Sequence, residues 1–200
     1  MHTPVSTRDR ILEAAERLMR TIGLARTTTK EIARAAGCSE AALYKYFASK
    51  EELFVRVLEE RLPRLGALLE ELTAEPGERS VAENLTEIAR HAALFYESSF
   101  PIAASLHADP RLLKRHHAAM RELGAGPRKP LLALSAYLRA EREAGRIRPG
   151  ADTDAAAALL LGACAQRAFL YDFPGGEVPD QPLEEFAAAL AHTVLAGIGA

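Results

Sequence analysis

The 200-residue chain has no tryptophan and only two cysteines, Cys38 and Cys164. These lie far apart, no CxxC pair is present, and the first ten residues are polar rather than a secretory leader, so we expect reduced thiols and a cytoplasmic location. The longest apolar run, residues 155–165, is too short to span a bilayer. These absences argue against a disulfide-rich secreted domain and against a membrane protein.

Catalytic motifs are also missing. The sequence has no GxSxG, no P-loop and no dinucleotide fingerprint, and the GAGP at 124–127 lacks the strand that such a loop requires. Three histidines, His107, His116 and His117, suggest a metal site at first sight. Adjacent histidines point to different helix faces, however, and no HxxxH spacing is present, so core or solvated histidines are the simpler explanation. We predict no enzyme, no cofactor and no metal.

Charge is unevenly distributed along the chain. The net charge is −2, which taken alone would argue against a nucleic-acid partner. Residues 1–50, however, carry nine Lys or Arg against five acids, a net charge of +4, so the remainder carries −6. A basic head on an acidic body is typical of a protein that orients itself on DNA.

Helical periodicity dominates and no strand pattern is evident, so we predict an all-α fold. Helices are expected at about 7–22, 29–36, 40–47, 80–98, 101–107, 110–123, 127–144, 152–172 and 181–198. A long helix is also expected to begin near Lys50, with an apolar stripe from Leu53 to Leu69. Pro63 lies inside this stripe and should kink or break the helix. The break is either a hinge or a static bend, and the sequence leaves both open.

The most informative segment is residues 28–50. Thr28 and Glu31 form a capping-box pattern at the start of one short helix, Gly37 supplies a left-handed turn position, and Ser39 caps a second helix. Leu43 and Phe47 would turn the apolar face of this second helix towards the first. The outward residues are then Glu40, Ala41, Tyr44 and Lys45. This arrangement predicts a helix-turn-helix, whose second helix fits a major groove.

With its flanks, the segment resembles the TetR family of bacterial transcriptional regulators. The resemblance is carried by Arg8, Ile11, Ala14, Ala15, Gly23, the stretch Thr28 to Gly37, and the LYxxFxxKEELF pattern that ends at Phe54. It implies a DNA-binding domain at 5–65, with three helices and a motif at about 28–47. A long helix would join this domain to a helical effector-binding and dimerisation domain at 66–200.

Within that frame, each outward residue of the motif has a candidate role. Thr28, Thr29, Tyr44, Tyr46 and Lys50 are candidates for contacts with phosphate. Tyr46 stands where the family often has histidine.

Contacts with base edges are expected from the second motif helix. Ser39, Ala41 and Lys45 are the candidates for them, with Lys45 suited to guanine and Ala41 to a thymine methyl group. Glu40 would either repel phosphate or accept a hydrogen bond from cytosine, and the sequence does not decide.

The body of the chain offers aromatic and soft apolar side chains together with a few polar groups, which is the composition of a small-molecule site between helices. The candidates for binding a small, largely apolar effector are Phe95, Tyr96, Phe100, His107, His116, Met120, Tyr137, Gln166 and Phe169. For any one of them, ordinary core packing is the competing interpretation.

The last two predicted helices are rich in Ala and Leu, and small residues let helices approach closely. The family implies that this pair forms a four-helix dimer contact, whereas periodicity alone also permits a buried hairpin within one chain. We therefore expect a homodimeric, ligand-responsive regulator, most simply a repressor, on a palindromic operator. A DNA-binding protein without an effector and an all-α enzyme are the alternatives.

Overall fold

The structure is a computed structural model that describes residues 6–63, 65–74, 78–104, 106–107, 109–172 and 181–198. Every regular element in this part of the chain is a helix. In chain order the helices are α1 (Thr7–Ile22), α2 (Thr29–Ala35), α3 (Glu40–Leu43), α4 (Lys50–Glu60), α5 (Leu65–Ala74), α6 (Val81–Ala104), α7 (Pro110–Glu122), α8 (Arg128–Glu143), α9 (Thr153–Asp172) and α10 (Leu183–Ile198). The predicted all-α fold is confirmed.

Two of the predicted helix bounds depend on proline. The expected break at Pro63 is confirmed, because α4 ends at Glu60 and α5 begins at Leu65. The predicted break at Pro101 was wrong, since α6 runs through this residue to Ala104. Proline removes one helical hydrogen bond, but the next residue, Ile102, is fully buried and stabilises the continuing turn.

The second motif helix is shorter than predicted. Regular α-helix ends at Leu43 rather than at residue 47. The next turn is tighter, because the amides of Lys45 and Tyr46 donate to the carbonyls three residues before them, at 3.2 and 3.0 Å. This tighter turn still places Phe47 in the core, with 1% of its surface exposed.

Side-chain caps fix where several helices begin. Ser6 accepts from the Asp9 amide at 3.1 Å at the start of α1, and Ser49 accepts from the Glu52 amide at 3.0 Å at the start of α4. The carboxylate of Asp109 accepts two amides at the start of α7. Such caps satisfy amides that have no partner within the helix.

Contacts along the chain form two compact units. The first unit comprises Met1–Leu62 and Ser98–Gly126, and the second comprises Pro63–Glu97 and Pro127–Ala200. The chain thus leaves the first unit near the expected boundary at residue 65 and returns to it for the end of α6 and for α7. The division of function between 5–65 and 66–200 stays a prediction.

The core of the first unit is built from α1 to α4 with α7. Its largest buried side chains come from each of the first four helices and include Ile11, Met19, Ile32, Leu43 and Phe54. Helix α7 packs on α4, where the ring of His116 meets that of Phe54 edge-on at a centroid distance of 4.3 Å. His116 therefore belongs to the packing of this unit.

In the second unit, α5, α8, α9 and α10 pack in sequence, together with the first part of α6. The core is mainly aliphatic, with Leu69, Ile88 and Leu160 fully buried. Asn84 and Tyr137 are a buried polar pair, in which the Asn84 amide donates to the tyrosine oxygen at 3.0 Å. Within the described residues, none of the helices is long and apolar enough to cross a membrane.

Candidate nucleic-acid interface

The turn between α2 and α3 has a definite hydrogen-bond pattern. Gly37 has a φ of 66°, and its amide donates to the Arg34 carbonyl at 3.2 Å. The amide of Cys38 donates to the Ala33 carbonyl at 2.9 Å. These two bonds form a Schellman motif, which ends α2 and directs the chain into α3. The predicted glycine-ended turn is confirmed.

Helix α3 and the turn after it present an exposed face. Ser39 caps the helix by accepting from the Ala42 amide at 3.1 Å. Leu43 is buried, so the outer face is formed by Glu40, Ala41, Tyr44, Lys45 and Tyr46, all of which are exposed. Tyr44 and Tyr46 expose 49% and 47% of their surface, so both side chains are accessible to a partner molecule.

An open cleft of about 390 Å³ lies beside this face. It is lined by Ala25, Thr27, Thr28, Thr29, Tyr44, Ala48, Ser49, Lys50 and Glu51. The cleft brings the start of α2, the end of the second motif helix and the start of α4 together. Four of the five predicted phosphate contacts, all except Tyr46, therefore line one surface.

Thr28 is engaged in the capping box at the start of α2. Its hydroxyl accepts from the Glu31 amide at 3.2 Å, and its own amide donates to the Glu31 carboxylate at 3.0 Å. The Thr28 hydroxyl also donates to this carboxylate at 2.8 Å, and this bond is the main reason why the pKa of Glu31 lies below its usual value. The predicted capping box is confirmed, and it fixes the backbone at the edge of the cleft.

Thr29 connects α2 to α3. Its hydroxyl donates to the Glu40 carboxylate at 2.5 Å and lies 3.3 Å from the hydroxyl oxygen of Tyr44. Thr29 thus links two other side chains that the sequence assigned to DNA, and both Thr29 and Tyr44 line the cleft.

Lys50 is the first residue of α4 and is only partly exposed. Burial lowers the pKa of its ammonium group below the usual value, while the neighbouring Glu51 acts in the opposite direction. Glu51 is itself 3.6 Å from Arg115 of α7. The cleft therefore has a cation at its α4 end, as phosphate binding requires.

Comparison with known proteins agrees with this geometry. Residues 11–57 match the family model described as bacterial regulatory proteins, tetR family. The matched segment contains α2, α3, the turn between them and most of α4. Residues 11–57 therefore carry the amino-terminal domain of the TetR family.

A similar sequence is found in Mycobacterium tuberculosis. The protein Rv1255c, named an uncharacterized HTH-type transcriptional regulator, is 42% identical over 83 residues. The match covers 40% of this chain, and the chain spans about two fifths, 41%, of that relative's length.

Solved structures extend the likeness to the whole fold. A TetR-family transcriptional regulator from Mesorhizobium loti superposes with a TM-score of 0.70 at 24% identity, covering 97% of both chains. SmeT, the repressor of a Stenotrophomonas maltophilia multidrug efflux pump, superposes in its triclosan complex with a TM-score of 0.68 at 23% identity. That superposition covers 97% of this chain and 92% of SmeT. At these identities the likeness concerns the fold.

The predicted effector residues are divided between the two units of the chain. Phe100, His107, His116 and Met120 belong to the first unit; Phe95, Tyr96, Tyr137, Gln166 and Phe169 belong to the second. In the second unit, the rings of Phe95 and Tyr96 meet edge-on at 5.5 Å, and burial raises the pKa of Tyr96 to about 12.

Exposure separates the effector candidates further. Tyr137 is fully buried, whereas His107, Gln166 and Phe169 are exposed. The nine candidates are therefore not one set of equivalent positions, and their role in effector binding stays a prediction.

Some residues of the interface were not predicted from the sequence. Ala25, Ala48 and Glu51 line the cleft, and Arg115 lies next to it through Glu51. Of these residues, Glu51 could have been predicted from the sequence. The capping pattern at Ser49 fixes the start of α4 and so places Glu51 next to Lys50 in its first turn. No short-range pattern indicates Arg115, since its place depends on the packing of α7 against α4.

Proposed function

We propose that the chain is a transcriptional regulator that binds a palindromic DNA operator as a homodimer and is released by a small effector. The observation that carries this proposal is the cleft formed by α2, the motif's second helix and α4, beside the exposed face of α3. Repression is the simplest mode of action, because a protein seated on an operator blocks access to it. SmeT, which shares the fold, is named a repressor.

In this proposal the cleft and α3 have separate tasks. The hydroxyls of Thr29 and Tyr44 and the ammonium group of Lys50 contact phosphates and set affinity and register. Ala41 and Lys45, exposed on the outer face of the motif, contact base edges and set sequence preference. Tyr46 is exposed next to them as a further phosphate contact.

The dimer is proposed to form through α9 and α10. On α9, Leu159, Phe169 and Leu170 expose 67%, 49% and 53% of their surface. On α10, small residues such as Ala189 are exposed. Since apolar side chains at this exposure favour burial against a partner, two copies of the α9–α10 pair would make a four-helix contact. The two heads would then meet half-sites roughly 34–36 Å apart, or a multiple of this distance.

The effector is proposed to bind in the 66–200 region and to be small and largely apolar. SmeT was solved with triclosan, an indication of what this fold accommodates. The effector would favour a head separation that no longer matches the grooves, and it shifts the equilibrium only by its differential affinity for the two states. The break at Pro63, where the chain enters the second unit, is our candidate for the hinge.

Titration of a labelled duplex tests the proposal. The purified protein should bind random-sequence DNA weakly, and this affinity should fall steeply as salt rises from 50 to 200 mM, because phosphate contacts release counterions. An apolar small molecule that releases the protein from its operator should change the affinity for random-sequence DNA at low salt only slightly. A protein that binds no duplex at any salt concentration would contradict the proposal.

A further inference from the structure

Two donors that the proposed function assigns to phosphate are already near an anion of the protein itself. The Thr29 hydroxyl donates to the Glu40 carboxylate at 2.5 Å, and the Tyr44 hydroxyl oxygen is 3.3 Å from the same Thr29 oxygen. Thr29 and Tyr44 both line the cleft. The Glu40 carboxylate therefore already accepts from the hydroxyl that the proposed function assigns to a phosphate.

We propose that Glu40 competes with the DNA backbone for this cleft and so limits the affinity of the head for every duplex. The inference rests on the proposed function. A phosphate that takes the Thr29 hydroxyl must displace the carboxylate, and as long as the carboxylate stays nearby the two anions repel each other. Glu40 thereby keeps sequence-independent binding weak, and occupancy depends more on the base contacts of α3.

The hydrogen bond to Thr29 favours one of the two roles that the sequence left open for Glu40. A carboxylate that accepts from cytosine would have to point outward from α3 into the major groove. In the structure, its Oε1 atom accepts a hydrogen bond from the Thr29 hydroxyl of α2. The bond spans eleven residues and joins two helices, so the carboxylate is directed at the backbone side of the interface.

The test compares Glu40→Gln with the natural protein on two duplexes, a selected operator and an unrelated sequence. Removing one exposed charge should tighten binding to both by about two- to fivefold per head, because exposed charge pairs are of modest strength. The gain should shrink as salt rises and screens the remaining repulsion. Glu143→Gln changes the net charge equally at an exposed residue of α8 and should leave both affinities unchanged.

A second variant tests whether the effect passes through Thr29. In a Thr29→Val background the carboxylate has lost its α2 partner, so adding Glu40→Gln should give a smaller gain than in the natural protein. Equal gains in the two backgrounds would show that Glu40 acts by general charge alone. That result would overturn the specific competition proposed here.

Two further results would overturn the inference while leaving DNA binding intact. One is weaker operator binding by Glu40→Gln with altered preference at a single C·G pair, which would make Glu40 a base contact. The other is unchanged affinity at every salt concentration. If the natural protein binds neither duplex, the proposed function itself fails, and that outcome is distinct from both.

Discussion

Arg8 of α1 and Glu60 of α4 form a two-pronged ion pair, with two guanidinium nitrogens each 2.6 Å from a carboxylate oxygen. The residues are 52 positions apart, and the Arg8 guanidinium also lies 5.5 Å from the ring centre of Phe47. The pair thus joins the first and last helices of the helix-turn-helix region. It also lowers the pKa of Glu60.

Replacing Arg8 by Ala should lower the free energy of unfolding by about 1 kcal/mol, since the pair is partly exposed but has bidentate geometry. Arg8→Lys should recover only part of this loss, because one ammonium group does not make both bonds. Arg10→Ala, at an exposed residue of the same helix, is the control. Urea unfolding of the three variants measures the effect, and equal losses for Arg8→Ala and Arg10→Ala would contradict it.

The Arg8–Glu60 contribution should also depend on pH. Because the folded pKa of Glu60 is lowered, its stabilisation is complete above the unfolded pKa and is lost as pH falls through the folded value. The difference between the natural protein and Arg8→Ala should therefore be full at pH 7 and vanish in acid. A constant difference down to pH 3 would contradict the pair's role.

Gly37 is expected to be required for its backbone conformation. An added Cβ would meet no atom within 4 Å, so Gly37→Ala is strained only by the φ of 66°, at a cost of about 1–2 kcal/mol. Gly66 of α5 is the matched control, because its Cβ position is equally open and its φ is not positive. Gly66→Ala should stabilise by about 0.5–1 kcal/mol. The melting temperature should fall for Gly37→Ala and rise for Gly66→Ala. A shift of both melting temperatures in the same direction would contradict this prediction.

His116 should make the stability of the first unit sensitive to acid. Burial, with a smaller effect from His117, lowers the pKa of His116 to about 4. Between pH 6.5 and 4 the unfolded chain binds a proton that the folded chain does not. The free energy of unfolding therefore decreases as the pH is lowered through this range, by about 3 kcal/mol in total.

Denaturant unfolding between pH 4 and 7 checks the His116 prediction. His116→Gln should remove this part of the pH dependence whatever its effect at pH 7. His117→Gln, at the exposed neighbour, should retain it. If His116→Gln keeps the full pH slope, the burial of an uncharged His116 is not its source.

The DNA-facing residues should separate into two classes. Tyr44→Phe and Lys50→Ala should weaken binding to all duplexes by a similar factor, and Lys50→Ala should reduce the salt slope by about 1. Lys45→Ala should change preference at one base position, by about 1–3 kcal/mol. Binding to single-base variants of the operator measures this. A uniform loss for all three variants would remove the base-contact role of Lys45.

The dimer proposal predicts which exposed positions tolerate charge. Ala158→Glu and Ala189→Glu, on the exposed faces of α9 and α10, should shift the protein towards monomer in sedimentation. Leu132→Glu, at a leucine of α8 with 58% of its surface exposed, should leave the mass unchanged. An unchanged mass for the α9 and α10 variants would locate the interface elsewhere.

The helix-turn-helix region was predictable because its determinants are local. Capping at Thr28 and Ser39, the glycine turn and the apolar pairs all act within a few residues, and each is present in the structure. The Thr29–Glu40 bond was not predictable, since both partners are equally compatible with solvent. It depends on the angle at which α3 crosses α2.

Prediction was weakest where long-range packing decides. Pro101 has the local signature of a helix end, yet α6 continues past this residue, and Ile102 in the continuing turn is buried. His116 and Tyr137 are polar aromatic residues on helical stripes, and sequence periodicity does not distinguish a site from a core. The structure places His116 against Phe54 and Tyr137 beside Asn84.

Selection of bound fragments from a random-duplex pool, at a stated near-physiological salt concentration, shows directly whether the protein reads DNA sequence as a dimer. We expect recovery of a palindrome whose half-sites are about one helical turn apart, or a multiple of it. A pool that shows no enrichment over its starting composition, with protein that is folded and free of effector, would contradict a sequence-specific dimeric regulator.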